Sequence, residues 1–179
     1  MLNSSWKSLN RLIIFAHFWN KLLEKVAIFA DVQNIYYTTK QAYQRHFNYQ
    51  QFWLQATANR EVIAAIAYAI DKGDPKQRGF QQILRQIGFE VKLKPYIQRT
   101  DGSAKGDWDV GITLDVIELA AQADVIILLS GDGDFDLLLA KARQRYNVST
   151  EVYGVPALTA PALINSAQRF IAIDNKLLL

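Results

Sequence analysis

Cysteine is absent from this chain of 179 residues, and histidine and methionine are almost absent. Without cysteine the protein can form no disulfide, no thiolate zinc site and no cysteine nucleophile. The two histidines, His17 and His46, are far apart in the sequence, and a lone histidine is usually structural. The lack of cysteine fits a reducing compartment, so we expect a cytoplasmic protein.

Strong charge and long apolar runs are also missing. The formal net charge is +3, which is too small to indicate a strongly basic surface for binding nucleic acid. The most apolar stretch near the amino terminus, residues 11–19, is too short to span a bilayer, and no small-residue cleavage site follows it. We therefore expect no signal peptide and no integral membrane segment.

Residues 1–25 still need an interpretation, because several of their apolar side chains repeat at helical spacing. These side chains are Trp6, Leu9, Ile13, Phe18 and Leu22. Three interpretations remain open: a helix docked on the body or on a partner, a helix on a membrane surface, or residues from an early start codon. We favour the first, in which the helix could mediate homo-oligomer or protein-partner contacts.

Nucleotide-cofactor and calcium motifs fail on detail. The sequence has no G-x-x-x-x-G-K-[ST] motif and no G-x-G-x-x-G motif after a strand. D-G-D-F-D at 132–136 resembles the start of an EF-hand loop, but Leu137 stands where that loop needs glycine and Arg143 where it needs glutamate.

The most informative stretch that is present runs from Asp124 to Asp136. It begins as the apolar run DVIILL, which has the length and β-branched content of a buried strand. The run ends at Ser130-Gly131, and aspartates follow at every second position before a helical pattern, DLLLAKARQR. Such a strand end is a common ligand site in an open parallel sheet.

Strands and helices alternate along the whole chain, which predicts βαβ units and a parallel sheet with helices on both faces. Further signals are Asn48 as a helix cap, Pro75 in a first turn and Gly88 as a carboxyl-terminal cap. Apolar and polar residues alternate in FEVKLKPYI, which predicts an edge strand whose Lys92 and Lys94 side chains point away from the core. RFIAID is expected to close the other edge. We divide the chain into an extension (1–25), one α/β domain (26–174) and a tail (175–179).

Carboxylates follow the first and fourth predicted strands and begin the helix between them. Asp31 ends VAIFAD, Asp132 and Asp134 follow DVIILLSG, and Asp109 opens a helix that carries Asp115 among apolar residues. Each of these acids also has an interpretation that needs no metal site. Asp31 could cap a helix, Asp109 could be a partner of the helix dipole, and Asp115 could face solvent. If the two strands are neighbours, about 4.8 Å apart, their acids cluster and repel. Mg²⁺ or Mn²⁺ is the natural occupant of such a cluster.

Three motifs together resemble a known family. They are F-A-D-V-Q-N at 29–34, K-G-D-W-D-V-G-I-T-L-D at 105–115 and S-G-D-G-D-F at 130–135. In type, order and spacing they are similar to the NYN domains of the LabA-like group, within the PIN-like nuclease superfamily. The resemblance implies a Rossmann-like three-layer α/β/α fold with a mainly parallel sheet in the order 3-2-1-4-5, which makes the first and fourth strands neighbours.

The same resemblance implies metal-dependent hydrolysis of RNA, with single-stranded RNA the expected substrate. It assigns Mg²⁺ or Mn²⁺ to Asp31, Asp109, Asp132 and Asp134, and matches Asp115 to a recurrent acid that is either a ligand or a support for one. Asn34 would position a carboxylate, water or phosphate, which places it in the catalytic set. The expected substrate contacts are Asn34, Lys105, Ser130 and Arg143.

Two other functions stay open at this point. LabA-like proteins are regarded as regulators of gene expression, so the alternative is a catalytically silent NYN module that binds RNA or a protein. A weaker alternative is a phosphatase-like or nucleotide-hydrolysing enzyme built from the same acids. The intact acids favour the ribonuclease, whereas the modest net charge and the aromatic amino-terminal segment favour regulation.

Overall fold

The computed structural model describes residues 23–71, 73–95, 97–98, 104–105 and 107–179. The predicted helix within residues 1–25 therefore lies almost entirely outside the described residues. The same is true of most of the polar loop that precedes Asp107. The elements below are numbered in chain order over the described part of the chain.

Six parallel strands form the central sheet, in the order β3-β2-β1-β6-β7-β8. Their bounds are β1 Glu24–Asp31, β2 Arg60–Asp71, β3 Glu90–Pro95, β6 Val125–Leu129, β7 Ser149–Gly154 and β8 Arg169–Ala172. Counted within this sheet alone the order is 3-2-1-4-5-6, which confirms the expected 3-2-1-4-5 order and the edge position of RFIAID. A small antiparallel pair, β4 Ile97–Gln98 with β5 Ala104–Lys105, was not predicted.

Helices cover both faces of the sheet. They are α1 Val32–Tyr43, α2 Tyr49–Thr57, α3 Pro75–Ile87, α4 Asp109–Leu119, α5 Asp136–Tyr146 and α6 Pro161–Ser166. The expected helix ends are confirmed: the Asn48 side chain accepts from the Gln51 N–H, Pro75 begins α3, and Gly88 ends it. Gly88 has a φ of 127°, which glycine adopts without steric cost.

Strand β1 lies at the centre because its side chains are apolar on both faces. Val26 and Ile28 belong to the core beneath α1, α2 and α3. Ala27 and Phe29 belong to the second core, beneath α4 and α5. All four are fully buried, as expected for a parallel strand covered on both sides.

One orientation was predicted wrongly. Lys92 and Lys94 were expected to point outward from β3, but both lie against the α4 side. The Lys92 ammonium binds Asp115 of α4 at 2.8 Å, and Lys94 donates to the Asp107 carbonyl at 2.8 Å. The two lysines do share one face of β3, as the alternating pattern predicted. That face is not solvent-facing, because it meets polar groups of α4 and of the turn before α4.

The carboxyl-terminal residues pack against the body. Leu177 and Leu178 are buried in the core beneath α1 and α2. Arg45 donates from Nε to the Leu179 carbonyl at 2.7 Å and from Nη2 to the Leu178 carbonyl at 3.1 Å. In the part of the chain that the structure describes, no helix has the length and apolar character needed to cross a bilayer.

Candidate metal centre

Asp31 stands where β1 passes directly into α1. Its carboxylate accepts a hydrogen bond from the Asn34 backbone N–H at 3.0 Å and so caps the helix. Asp31 is aligned with Tyr68 of β2, and β1 pairs with β6 on its other side. Residues aligned across parallel strands face the same side, so Asp31 points with Tyr68 toward α4. The capping alternative considered above is therefore correct, and the Gln33 backbone N–H also acts on this carboxylate.

The second group of acids follows β6, across the pairing with β1. The turn is tight: the Asp132 carboxylate accepts from the Asp134 N–H at 3.0 Å, and the Ser130 hydroxyl accepts from the Asp132 N–H at 3.2 Å. A Cβ at Gly131 would lie 2.8 Å from the Leu158 carbonyl oxygen, so only glycine fits there. Asp134 is exposed, whereas Ser130 is fully buried.

Asn34 joins the two strand ends. Its side-chain carbonyl accepts from the Gly131 backbone N–H at 2.8 Å, so α1 and the turn after β6 are held in a fixed relation. The predicted positioning role of Asn34 therefore has a concrete contact within the described residues. The amide oxygen holds the acidic turn, and the positioning of a carboxylate, water or phosphate by Asn34 stays a prediction.

Asp109 comes to the same edge as the first residue of α4. Its neighbour Trp108 is anchored by an indole N–H that donates to the Ala69 carbonyl at 2.9 Å. The Lys94 ammonium lies 4.4 Å from the centroid of the Trp108 ring, a cation–π distance. We call Asp31, Asp109, Asp132 and Asp134 the acidic edge.

The charges of the acidic edge act on one another. The pKa of Asp31 is raised to about 6, first by burial and then by the charges of Asp109 and Asp132, against the opposing hydrogen bond from Asn34. The pKa of Asp109 is also raised, by burial first and then by neighbouring carboxylates including Asp132. Lys94 acts in the opposite direction on Asp109. A divalent cation would relieve this repulsion.

The donor chemistry at this edge fits Mg²⁺ or Mn²⁺, because the converging side chains all offer carboxylate oxygen. Within the described ranges, however, no three acidic or histidine side chains are grouped closely enough to hold a metal ion as they stand. Two of the carboxylates are instead engaged with local backbone N–H groups. Binding would therefore require the side chains to turn toward a common centre.

Asp115 has a different environment from the acidic edge. It accepts from the Tyr68 hydroxyl at 2.6 Å and from the Lys92 ammonium at 2.8 and 2.9 Å. These hydrogen bonds and this ion pair explain why a carboxylate is tolerated among the apolar residues of α4. The role of Asp115 as a metal ligand stays a prediction, and its contacts favour a supporting role.

The expected substrate contacts are less concentrated. The Arg143 guanidinium donates to the Ser166 carbonyl at 3.0 Å, and α5 carries it about 10 Å along the helix axis from Asp136. Lys105 belongs to β5, but its side chain lies outside the described residues. Ser130 and Asn34 do lie at the edge, where both accept backbone hydrogen bonds.

The sequence interpretation missed three polar side chains that shape this region. Tyr68 and Lys92 hold Asp115, and they are aligned with each other between β2 and β3. The fully buried Tyr49 hydroxyl has no hydrogen-bond partner among the described residues, and its pKa is raised by burial and by Asp31. The Lys92 contact could have been anticipated from a lysine facing an acid in an apolar helix.

Comparisons with known proteins agree with this geometry. A family model described as NYN domain matches residues 25–174. The low amplitude and bright protein LabA of Synechococcus elongatus is 29% identical over 160 residues, which cover 84% of this chain and 84% of that protein. A crystal structure of a protein of unknown function from Vibrio parahaemolyticus has a TM-score of 0.84 and 61% identity, covering 88% of this chain and 97% of that chain. The chain therefore belongs to the NYN domain family.

Proposed function

We propose that this protein is a divalent-metal-dependent ribonuclease that hydrolyses phosphodiesters of single-stranded RNA at the acidic edge. One observation carries the proposal: the pairing of β1 with β6 and the start of α4 bring Asp31, Asp132 and Asp109 to one edge of the sheet, where their negative charges act on one another. A fold gains no stability from such an arrangement, whereas a metal-dependent hydrolase requires it. The membership of a nuclease family supports the same reaction class.

Asp31, Asp109 and Asp132 are the residues that would hold Mg²⁺ or Mn²⁺, with the exposed Asp134 at the rim. The bound ion would lower the pKa of a water and stabilise the leaving oxygen. Asn34 and Ser130 keep the acidic turn in place through the Gly131 and Asp132 N–H groups. Lys94, at the rim beside Asp107 and Trp108, is positioned to meet a phosphate that approaches Asp109.

The test is cleavage of a 5′-labelled single-stranded RNA by purified protein in Mn²⁺ or in EDTA, beside Asp132→Asn. Asparagine caps as well as aspartate, so this variant removes charge with little loss of the turn. We expect manganese-dependent cleavage that falls at least about 100-fold in the variant, since a metal supplies several kcal/mol of charge stabilisation. The matched control is Asp124→Asn, because Asp124 lies at the opposite end of β6 and accepts from the Lys25 N–H.

A catalytically silent RNA-binding or regulatory module is the second candidate function. The observation that favours it is that Asp31 and Asp132 each bind a local N–H group in this structure. Binding of RNA without cleavage in Mn²⁺ or Mg²⁺ would establish this candidate. Release of phosphate from mononucleotides under the same conditions would instead indicate a nucleotide hydrolase. A cytoplasmic location and a protein partner or second copy at residues 1–25 belong to both candidates, and light scattering with and without those residues tests the latter.

A further inference from the structure

A groove of about 650 Å³ opens on the other side of Asp31 from α4. One wall is the outer face of α1, with Tyr36 and Tyr37, and the opposite wall is the start of α3, with Phe80. The end of β2 forms part of the floor through Ala69 and Ile70. We call this space the tyrosine groove.

The two tyrosines of this groove are not core residues. Tyr36 is 46% exposed and Tyr37 is 56% exposed, while α1 packs inward through Val32, Ile35 and Thr39. The Tyr36 ring meets the Tyr37 ring edge-on, with centroids 5.3 Å apart, and lies 5.8 Å from the His46 ring. Aromatic faces are therefore available along the wall, where a planar group can stack.

The tyrosine groove begins beside the acidic edge, because Val32 and Gln33, the two residues after Asp31, line it. At about 1.5 Å of rise per helical residue, Tyr36 and Tyr37 lie within about 9 Å of Asp31 along the α1 axis. An RNA strand held with one phosphate at the acids therefore reaches the groove with a neighbouring nucleotide.

We propose that the tyrosine groove binds the nucleobase next to the scissile phosphate of single-stranded RNA, by stacking on Tyr36 or Tyr37. This inference rests on the proposed function, since it names where that substrate is held. The chemistry of the lining matches a base: aromatic faces, and the amides of Gln33 and Gln81, which donate and accept hydrogen bonds. The charged side chains in the lining are those of Asp74, which caps α3, and of Lys76 in its first turn.

A peptide segment is the other occupant that an aromatic groove accepts. The position of the groove decides between them, because it starts at the residues that follow a carboxylate of the acidic edge. A peptide docking site has no need of that junction, whereas a nuclease must fix the nucleotide on at least one side of the bond it cleaves.

The first experiment measures stacking directly. A short single-stranded RNA with 2-aminopurine at one position is titrated with protein in Mn²⁺, in an Asp132→Asn background that keeps the RNA intact. Tyr36→Leu/Tyr37→Leu is compared with Tyr36→Phe/Tyr37→Phe, which keeps both rings. We expect the leucine pair to bind about 5- to 150-fold more weakly, the range for losing one base stack, and to lose the quenching of 2-aminopurine. The phenylalanine pair should stay within about twofold.

Two controls separate stacking from damage to the fold. Leu54→Ala removes an exposed apolar side chain from α2, where Leu54 lines a different surface hollow with Trp53 and Ile83. It should leave RNA binding unchanged. Thermal unfolding of every variant checks that α1 is intact, and leucine is a good helix former at both positions.

The second experiment uses the cleaving protein, with abasic ribonucleotides placed one at a time along the RNA. At one position next to the cleaved bond, the missing base should raise KM for the wild type and have no further effect in Tyr36→Leu/Tyr37→Leu. If the wild type cleaves RNA and the leucine pair keeps the RNA affinity and the quenching of the wild type, the groove assignment is overturned and the proposed ribonuclease activity is supported. Quenching that depends on the tyrosines, without cleavage, would overturn the nuclease and keep the groove. No RNA binding by the wild type would overturn both.

Discussion

Glu151 and Asp31 are two carboxylates set into the same sheet, and their surroundings are opposite. Glu151 lies on β7, toward the amino ends of the strands, and is only 5% exposed. It accepts from two nitrogens of Arg60, at 3.0 and 2.8 Å, and Arg169 lies 3.5 Å away. Asp31 lies at the carboxyl end of β1, and the charges that act most strongly on it are those of Asp109 and Asp132.

This difference separates a buried charge that the fold neutralises from charges that the fold leaves to repel one another. Where a buried acid belongs to the architecture, the chain supplies an arginine with bidentate geometry. At the acidic edge it places acids next to acids, although an unpaired buried charge is costly. The side chain of Lys94 lies near Asp109, but it is shared with Trp108 and the Asp107 carbonyl. The acidic edge therefore has the charge distribution of a cation site and the Glu151 region that of a structural ion pair.

The largest effect is expected from breaking the structural pair. Arg60→Met leaves Glu151 buried without its bidentate partner, and removing one partner of a buried pair costs about 3 to 5 kcal/mol. We expect the free energy of unfolding to fall by this amount in urea denaturation at pH 7. The double variant Arg60→Met/Glu151→Gln should recover part of the loss, because the uncompensated charge is gone. A fall below about 1 kcal/mol in the single variant would show that Arg169 alone suffices for Glu151.

At Asp31 we expect the opposite result: removing the charge should raise the free energy of unfolding. Its pKa is raised from 3.8 to about 6 in the folded protein, so between these values the folded state binds more protons than the unfolded state. The free energy of unfolding of the metal-free wild type therefore falls as pH rises through that window. Asp31→Asn keeps the helix cap and has no charge to lose. We expect it to be more stable than the wild type above pH 6, by on the order of 2 to 3 kcal/mol.

Measuring unfolding across the pH range tests this sign. The gain of Asp31→Asn over the wild type should vanish below about pH 3, where the Asp31 carboxyl is protonated in both the folded and the unfolded protein, and should be nearly complete above about pH 6. EDTA must be present, because bound metal would hide the repulsion. Asp124→Asn is the control, since Asp124 accepts the Lys25 N–H at the other end of the sheet. A variant that is less stable than the wild type at pH 8 would contradict the comparison.

Added Mn²⁺ should stabilise the wild type and not the variants of the acidic edge. A ligand that binds only the folded state adds about 1.4 kcal/mol at ten times its Kd. We expect the midpoint of thermal unfolding to rise with Mn²⁺ for the wild type and for Arg60→Met, and to stay constant for Asp31→Asn and Asp132→Asn. Equal shifts in all four proteins would place the ion elsewhere.

The elements, and the proximity of the two strand ends that carry acids, were predictable from sequence, and the contacts between side chains were not. The apolar run before Ser130 and the aspartates after it predicted a strand that delivers carboxylates to a turn. The neighbouring position of β1 and β6 followed from the family resemblance. The bond from the Gly131 N–H to Asn34 joins residues 97 positions apart, and no local pattern encodes such a separation.

The same limit explains the error at Lys92 and Lys94. Alternation shows that two side chains share a face, but it does not show what covers that face. The register that aligns Tyr68 with Lys92 decides this, and it places the lysine beneath Asp115 of α4. The reach of a long side chain across an edge strand is a tertiary property, which a linear pattern leaves undetermined.

The smallest change in stability is expected for substitutions at Asp115. They test whether Asp115 is a paired structural acid like Glu151 or belongs with Asp31 to the acidic edge. Its partners, Lys92 and Tyr68, resemble the surroundings of Glu151 more than those of Asp31. Lys92 is about one-third exposed, so the ion pair contributes no more than about 1 kcal/mol. Lys92→Met and Asp115→Asn should each lower the free energy of unfolding by roughly that amount. Because Asp115 is held by residues of the chain itself, neither variant should change the Mn²⁺ concentration that gives half-maximal stabilisation. A weakening of Mn²⁺ binding by tenfold or more in Asp115→Asn, with Lys92→Met unaffected, would transfer Asp115 from the paired acids to the metal ligands.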